Sequence, residues 1–266
     1  VSPRRGLGWL PDDTSRVMLE LATSPLDDLI GTPTSPVIDV VDYSKLLDHI
    51  PNQGQTSSCV GQAFATSLYL LGKTQGKPIP RPSAKLIYDD ARAEDQPYVR
   101  LRDYGSRPLA AIRCLVEQGM VPESDWPIVF SKDEDGIEHS NINDRPPLGI
   151  YQKALGFKVG GYYRIPAGYG AARAVRLALA HGYVPVFAMP VDEEYQNWSG
   201  GVYVGRSGVS LGGHMQSTCG YGDGHILVAS SWGEEHGDDG IVMIADSYFE
   251  SGECTDIIVP TIVPRF

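Results

Sequence analysis

Cys59 and His214 are the two residues whose settings in this chain suit nucleophilic chemistry. Cys59 closes the polar, glycine-containing run Asn52-Gln53-Gly54-Gln55-Thr56-Ser57-Ser58. Behind it Val60, Phe64, Leu68 and Leu71 recur at helical spacing, so the segment to about Gly72 reads as a helix with a buried face and Ser57 or Ser58 as its cap. A thiol at a helix start meets the positive end of the dipole and unpaired backbone N–H groups, which favour thiolate. The competing reading is a small buried apolar residue. Gln53, six residues ahead, decides between them. Its amide can fold back beside the Cys59 N–H, and two donors aimed at one point are what a tetrahedral oxyanion requires.

The second half of the site is a hairpin. Gly212 to Gly222 reads as a strand, Gly222-Asp223-Gly224 as its turn, and His225 to Gly233 as the returning strand. This brings His214 back beside Ser230 and Trp232. An odd-length loop puts all three on one face, whereas an even loop turns Ser230 away. Trp232 is a core aromatic, a shield for the imidazole, or both. His225 and His236 fall among Asp223, Glu234, Glu235, Asp238 and Asp239, which reads as a solvated acidic loop whose spacing fits no zinc pattern.

Together these stretches resemble the papain-like cysteine peptidases. Asn52-Gln53-Gly54, Ser58-Cys59 and Ala63-Phe64 match the family's oxyanion and nucleophile block. Gly213-His214, Gly220-Tyr221-Gly222, Ser231-Trp232-Gly233 and Gly240-Ile241-Val242-Met243-Ile244 match its histidine half, in the right order over residues 50 to 245. The helix after Pro82-Ser83, carrying Tyr88 and Ala91-Arg92, and the run Pro122-Glu123-Ser124-Asp125-Trp126-Pro127 are similar to the bacterial or phage-type branch. The chain departs from the family at Thr56, where many members have a disulfide cysteine, at Val60, usually tryptophan, and at Ser230, usually asparagine.

The resemblance implies an α+β, two-lobed fold and a Cys–His acyl-enzyme mechanism acting on a peptide or protein substrate. Cys59 is then the nucleophile, His214 the general acid and base, Gln53 the oxyanion donor, Ser230 the orienting partner of the imidazole and Trp232 its support. Gly105, Ser106 and Gly213 become substrate contacts. No metal or organic cofactor is implied. A serine hydroxyl is a shorter acceptor than an asparagine amide, and losing a preorganised acceptor costs about 1–3 kcal/mol, roughly one to two decades in rate. A catalytically weak or inactive peptide-binding protein, and an acyltransferase or amidase using the same pair, are the alternatives.

Composition bounds the rest. At 266 residues with 42% hydrophobic and 21% charged residues, the chain has the make-up of a globular protein. Its formal charge of -11 argues against nucleic acid or an anionic membrane as partner. No apolar run approaches the roughly 18 to 20 residues of a membrane span. The opening Val1-Ser2-Pro3-Arg4-Arg5-Gly6 has charge without an apolar stretch behind it, so no signal peptide is expected, and the compartment stays open. Cys59, Cys114, Cys219 and Cys254 show neither a disulfide framework nor a metal spacing, and Cys114 and Cys219 read as buried thiols.

Three segments are expected. Residues 1–36, rich in proline, form an extension that either covers the cleft and inhibits or packs as a stabilising arm. Residues 37–150 form a mainly helical lobe, with a strand over Val37–Asp42, helices from Ser83 to Arg92 and from Leu109 to Gln118, and Gly119 ending the latter. The polar run from Phe130 to Pro147, including Asp133-Glu134-Asp135-Gly136, reads as a solvated connection and not a calcium loop. Residues 151–266 form a β-rich lobe with a helix over Ala171–His181 and a strand over Tyr183–Met189.

Overall fold

One helix that is buried on every side sets the centre of the fold. The computed structural model describes residues 5–12, 39–95 and 102–261. In it a short strand, β1 (Val41–Asp42), leads through a 3-10 turn to α1 (Cys59–Thr74), in which every residue from Cys59 to Gly72 is buried. The sequence pattern predicted one buried face; α1 instead packs against two further helices and against the sheet, so it is covered all round. Ser58 takes the N-cap position, but its hydroxyl bonds to Thr56 Oγ1 at 2.8 Å and caps no helix amide. Of the strand expected over Val37–Asp42 only Val41–Asp42 pairs, with Tyr221 and Gly220; residues 37 and 38 lie outside the described residues.

α2 (Ala84–Asp95) is capped as predicted, with Ser83 Oγ accepting the Leu86 N–H at 3.0 Å. α3 (Pro108–Glu117) begins on a proline and ends before Gly119, whose φ of +91° and close approach to the Ala154 carbonyl exclude a side chain. The polar run that follows is exposed, yet it is ordered as a hairpin, β2 (Phe130–Lys132) with β3 (Glu138–Ser140). Asp133 closes that hairpin by accepting the Asp135 and Ile137 amides at 3.1 and 2.8 Å.

After α4 (Leu148–Ala154) come β4 (Gly161–Ile165), α5 (Ala171–Ala180), β5 (Val186–Val191), α6 (Glu193–Gln196), β6 (Val202–Tyr203), β7 (Gly212–Gly222), β8 (His225–Ala229), β9 (Ile241–Ala245), α7 (Asp246–Glu250) and β10 (Thr255–Thr261). The large sheet runs β4-β10-β5-β7-β8-β9-β6, with β1 also on β7. All its pairs are antiparallel except β6 with β9. The strand expected from Tyr183 begins at Val186, because the Tyr183 amide is spent closing α5 on the Ala178 carbonyl at 2.9 Å. Along β5 the side chains alternate between two cores: Val186 and Ala188 join the cluster around α1, while Phe187, Met189 and Val191 join the one around α5. Helices plus this mixed sheet make the α+β architecture expected.

Candidate active site

Hairpin parity decides where the histidine points. Gly222 pairs with His225, so the β7–β8 loop is the two-residue Asp223-Gly224, an even length. The register then slips by one between Thr218 and Gly220, a bulge at Cys219. One extra residue on β7 restores the parity that an odd loop would have given. The His214 and Trp232 rings accordingly stack, with centroids 4.1 Å apart and planes at 22°.

Cys59 stands at the first turn of α1, packed against β7, and its sulfur is fully buried. Backbone N–H groups of Met215, Gly8, Val60 and Cys59 itself are directed at the sulfur. The Met215 amide is the peptide that follows His214, so the sulfur and the histidine strand are in direct contact. Burial outweighs these donors and pushes the thiol up to about 11. His214 is likewise fully buried, which holds its imidazole well below the usual histidine range, helped by the nearby His236 and Arg5. Neither His214 nitrogen has a hydrogen-bond partner among the described residues. Both groups are therefore uncharged in this state.

Gln53 is buried, its Oε1 accepts from Ser231 Oγ at 2.7 Å, and its Nε2 donates to the Thr56 carbonyl at 2.7 Å and to the Gly6 carbonyl at 3.2 Å. Trp232 Nε1 donates to the same Gly6 carbonyl at 3.1 Å. The loop's glutamine and the hairpin's tryptophan thus grip one peptide oxygen between them.

That oxygen belongs to the N-terminal segment, residues 5–12, which crosses the site. Gly6 N–H bonds to Gly54 O at 3.2 Å, Trp9 N–H to Gly213 O at 3.2 Å, Ser106 N–H to Gly8 O at 2.9 Å and Leu10 N–H to Ser106 O at 3.1 Å. Its glycines permit this approach: a Cβ on Gly6 would meet Thr56 O at 2.0 Å, and one on Gly8 would meet Ser57 O at 1.9 Å. On the opposite side a Cβ on Gly105 would strike Gly8 O, and one on Gly213 the Trp9 ring. Arg5 adds a bond to Trp232 O at 3.2 Å and lies over the indole at 5.5 Å. Gln53, Trp232, Gly105, Ser106 and Gly213 therefore all touch this segment.

Ser230 is placed differently from the expectation. Its Oγ lies 3.0 Å from His236 Nδ1 and accepts the Trp232 N–H at 3.0 Å, and it makes no bond to His214. His236 corrects the solvated-loop reading: it is fully buried, edge-on to Trp232 and Tyr195, with Nε2 2.8 Å from the Tyr195 carbonyl. A carbonyl only accepts, and burial holds His236 down at about 4, so the neutral ring carries its proton on Nε2. Nδ1 then takes the Ser230 proton. Loop composition could not reveal His236, because its burial comes from packing against α6. Among the described residues, no three His, Cys, Asp or Glu side chains converge to hold a metal ion, and no helix is long and apolar enough to cross a membrane.

The chain is similar to the thiol protease SEN102 of a Hemerocallis species, 27% identical over 201 residues that cover 73% of this chain and 49% of that protein. It is also similar to cathepsin B-like cysteine proteinase 6 of Caenorhabditis elegans, 37% identical over 174 residues, 56% of this chain and 45% of that one. The chain spans about half the length of these curated relatives. In fold it matches xylellain, a cysteine protease from Xylella fastidiosa, with a TM-score of 0.79 at 23% identity over 99% of both chains. A protease of Carica candamarcensis solved with E-64 matches with a TM-score of 0.61 at 20% identity, over 85% of this chain and 99% of that one. The profile described as papain family cysteine protease covers residues 35–260, so the chain belongs to that family.

Proposed function

We propose that the chain is a thiol-dependent endopeptidase whose cleft is closed by its own residues 5–12. The Cys59 thiol passes its proton to His214 and its sulfur attacks the scissile carbonyl carbon, while Gln53 Nε2 and the Cys59 N–H hold the oxygen as it gains charge. His214 gives its proton to the leaving amine, then draws one from water, whose oxygen displaces the sulfur from the acyl carbon.

The observation that carries this reading is the seated N-terminal segment. An extended peptide already lies over Cys59, paired through its main chain to Ser106 and Gly213 with one carbonyl between Gln53 and Trp232. The groove that accepts it suits an extended peptide substrate. The same contacts support the autoinhibitory reading of the extension for residues 5–12.

The unpartnered His214 ring favours one variation, a catalytically weak site, since Ser230 has committed its proton to His236. Labelling by a thiol-directed peptide warhead, followed by mass spectrometry, tests the main reading. Cys59→Ala and His214→Ala should each abolish labelling in a chain whose N-terminal segment has been displaced; a labelled Cys59→Ala variant would reject the assignment of the nucleophile.

A further inference from the structure

Thr56 has no part in the mechanism above, yet it grips a residue that does. It stands where many members of the family carry a disulfide cysteine, and all four cysteines of this chain are free. The loop that delivers Gln53 therefore has no covalent tether. Thr56 is buried, so its hydroxyl must find its partners within the protein. Oγ1 donates to the Gln53 carbonyl at 2.7 Å, and the Thr56 N–H reaches the same oxygen at 3.2 Å. Oγ1 also lies 2.8 Å from Ser58 Oγ. With the Thr56 proton given to a carbonyl, the Ser58 hydroxyl is the donor in that contact.

The Thr56 carbonyl holds the far end of the same glutamine, accepting from Nε2 at 2.7 Å, while Oε1 accepts from Ser231 Oγ at 2.7 Å. The main-chain N–H of Gln53 is fixed by the Ser231 carbonyl at 2.8 Å. Turning the amide over would set Oε1 against the Thr56 carbonyl, two acceptors face to face, so one orientation alone is satisfied. In it one Nε2 hydrogen is spent on Thr56, and the other is aimed at the Gly6 carbonyl at 3.2 Å, the peptide oxygen seated in the site. Such a donor stabilises developing charge because it is fixed before the charge appears, and a displacement of about 1 Å costs on the order of a hundredfold in rate.

We infer that Thr56 is a positioning residue of the peptidase site: its hydroxyl and carbonyl clamp both ends of Gln53 and so aim Nε2 at the oxygen of the scissile peptide. This rests on the peptidase reading. Hydrogen bonds from one side chain replace the missing covalent link, and Ser58 sets the direction of the Thr56 hydroxyl from behind.

The test uses the full chain carrying Gly8→Ala, whose added Cβ cannot coexist with the Ser57 carbonyl. Into it go Thr56→Val, which keeps the shape and loses the hydroxyl, and Thr56→Ser, which keeps the hydroxyl. Hydrolysis of a fluorogenic peptide gives kcat and KM, and alkylation of Cys59 by iodoacetamide, which builds no oxyanion, reports the thiol alone. Thr56→Val should lower kcat about ten- to a hundredfold with KM and the alkylation rate within about threefold, and Thr56→Ser should restore kcat to within about threefold. Gln53→Ala should lower kcat about a hundred- to a thousandfold. Adding Thr56→Val to it should cost less than about threefold more, since the group being aimed is gone. Should Thr56→Val not fold, Ser58→Ala, which removes the outer link, replaces it with kcat expected to fall about three- to tenfold. An unmoved kcat in the variant used, an equal fall in alkylation, additivity with Gln53→Ala, or no loss on Gln53→Ala would overturn the positioning role. A parent that is alkylated yet hydrolyses no peptide would reject the peptidase reading and this role with it, whereas a loss on Gln53→Ala with none on Thr56→Val would reject Thr56 alone.

Discussion

The thiol half and the imidazole half of the site are buried alike but held oppositely. Four backbone N–H groups point at the Cys59 sulfur, and Gln53 uses both ends of its amide. Across from them His214 is stacked on Trp232 with both nitrogens unpartnered among the described residues. One half is ready to receive negative charge; the other is held only by packing. In the closed state neither is ionised, because the N-terminal segment excludes the water that either charge needs. Once it leaves, the donors and the helix start are free to favour thiolate, with the proton passing to His214. The asymmetry teaches that the thiol side is preorganised by hydrogen bonds, whereas the imidazole side is positioned by packing against Trp232.

The largest expected effect breaks the comparison outright. Unseating residues 5–12 with Gly6→Ala plus Gly8→Ala should raise the rate of Cys59 alkylation at neutral pH by at least about a hundredfold, since a thiol held near 11 yields little thiolate there. A rise below twofold would mean that the segment does not control the sulfur.

Next in size is the pH dependence of seating. Burial, with Asp256 close by, pushes Asp12 up to about 7 from an ordinary 3.8, while the Leu109 N–H and Arg164 pull it down and Asp95 adds a smaller upward push. A carboxyl raised in the seated state binds its proton more tightly there than when released. Seating is therefore strongest below pH 3.8, weakens as pH rises towards 7, and is level above that. Over that window accessibility of Cys59, corrected for thiol ionisation, should rise on the order of a hundredfold. Asp12→Asn should flatten this profile; a variant that keeps it would remove Asp12 as the cause.

How much of this was legible follows the same division. The thiol half rests on a loop, a glutamine and a helix within twenty-odd residues of chain, and local patterns carry such information well. The imidazole half depended on hairpin parity, and the bulge at Cys219 that sets it leaves no periodic trace. Ser230 was matched by position to an orienting residue, yet its proton goes to His236, a histidine buried by tertiary packing alone. The expected loop over Phe130 to Pro147 became a hairpin through the three acceptances of one side chain, Asp133, from Asp135, Ile137 and His139. The spacing of Gly6 and Gly8 around Leu7, in an otherwise proline-rich stretch, was the available signal for a segment that must approach another backbone closely.

The smallest effect sharpens the comparison on the imidazole side. With its hydroxyl given to His236, Ser230→Ala should lower unfolding stability by about 1–2 kcal/mol in a denaturant titration while changing kcat less than about tenfold. A loss of a thousandfold or more would place Ser230 on His214 during turnover and remove the asymmetry.

The pH profile of Cys59 alkylation by iodoacetamide, run on the intact chain and on the Gly6→Ala plus Gly8→Ala variant, tests the central claim most directly. The intact chain should react ever faster up to about pH 11, and the unseated variant should show its inflection well below the roughly 8.5 of an ordinary thiol. Superimposable profiles, or an unseated thiol that titrates at or above that value, would contradict a masked, activated nucleophile.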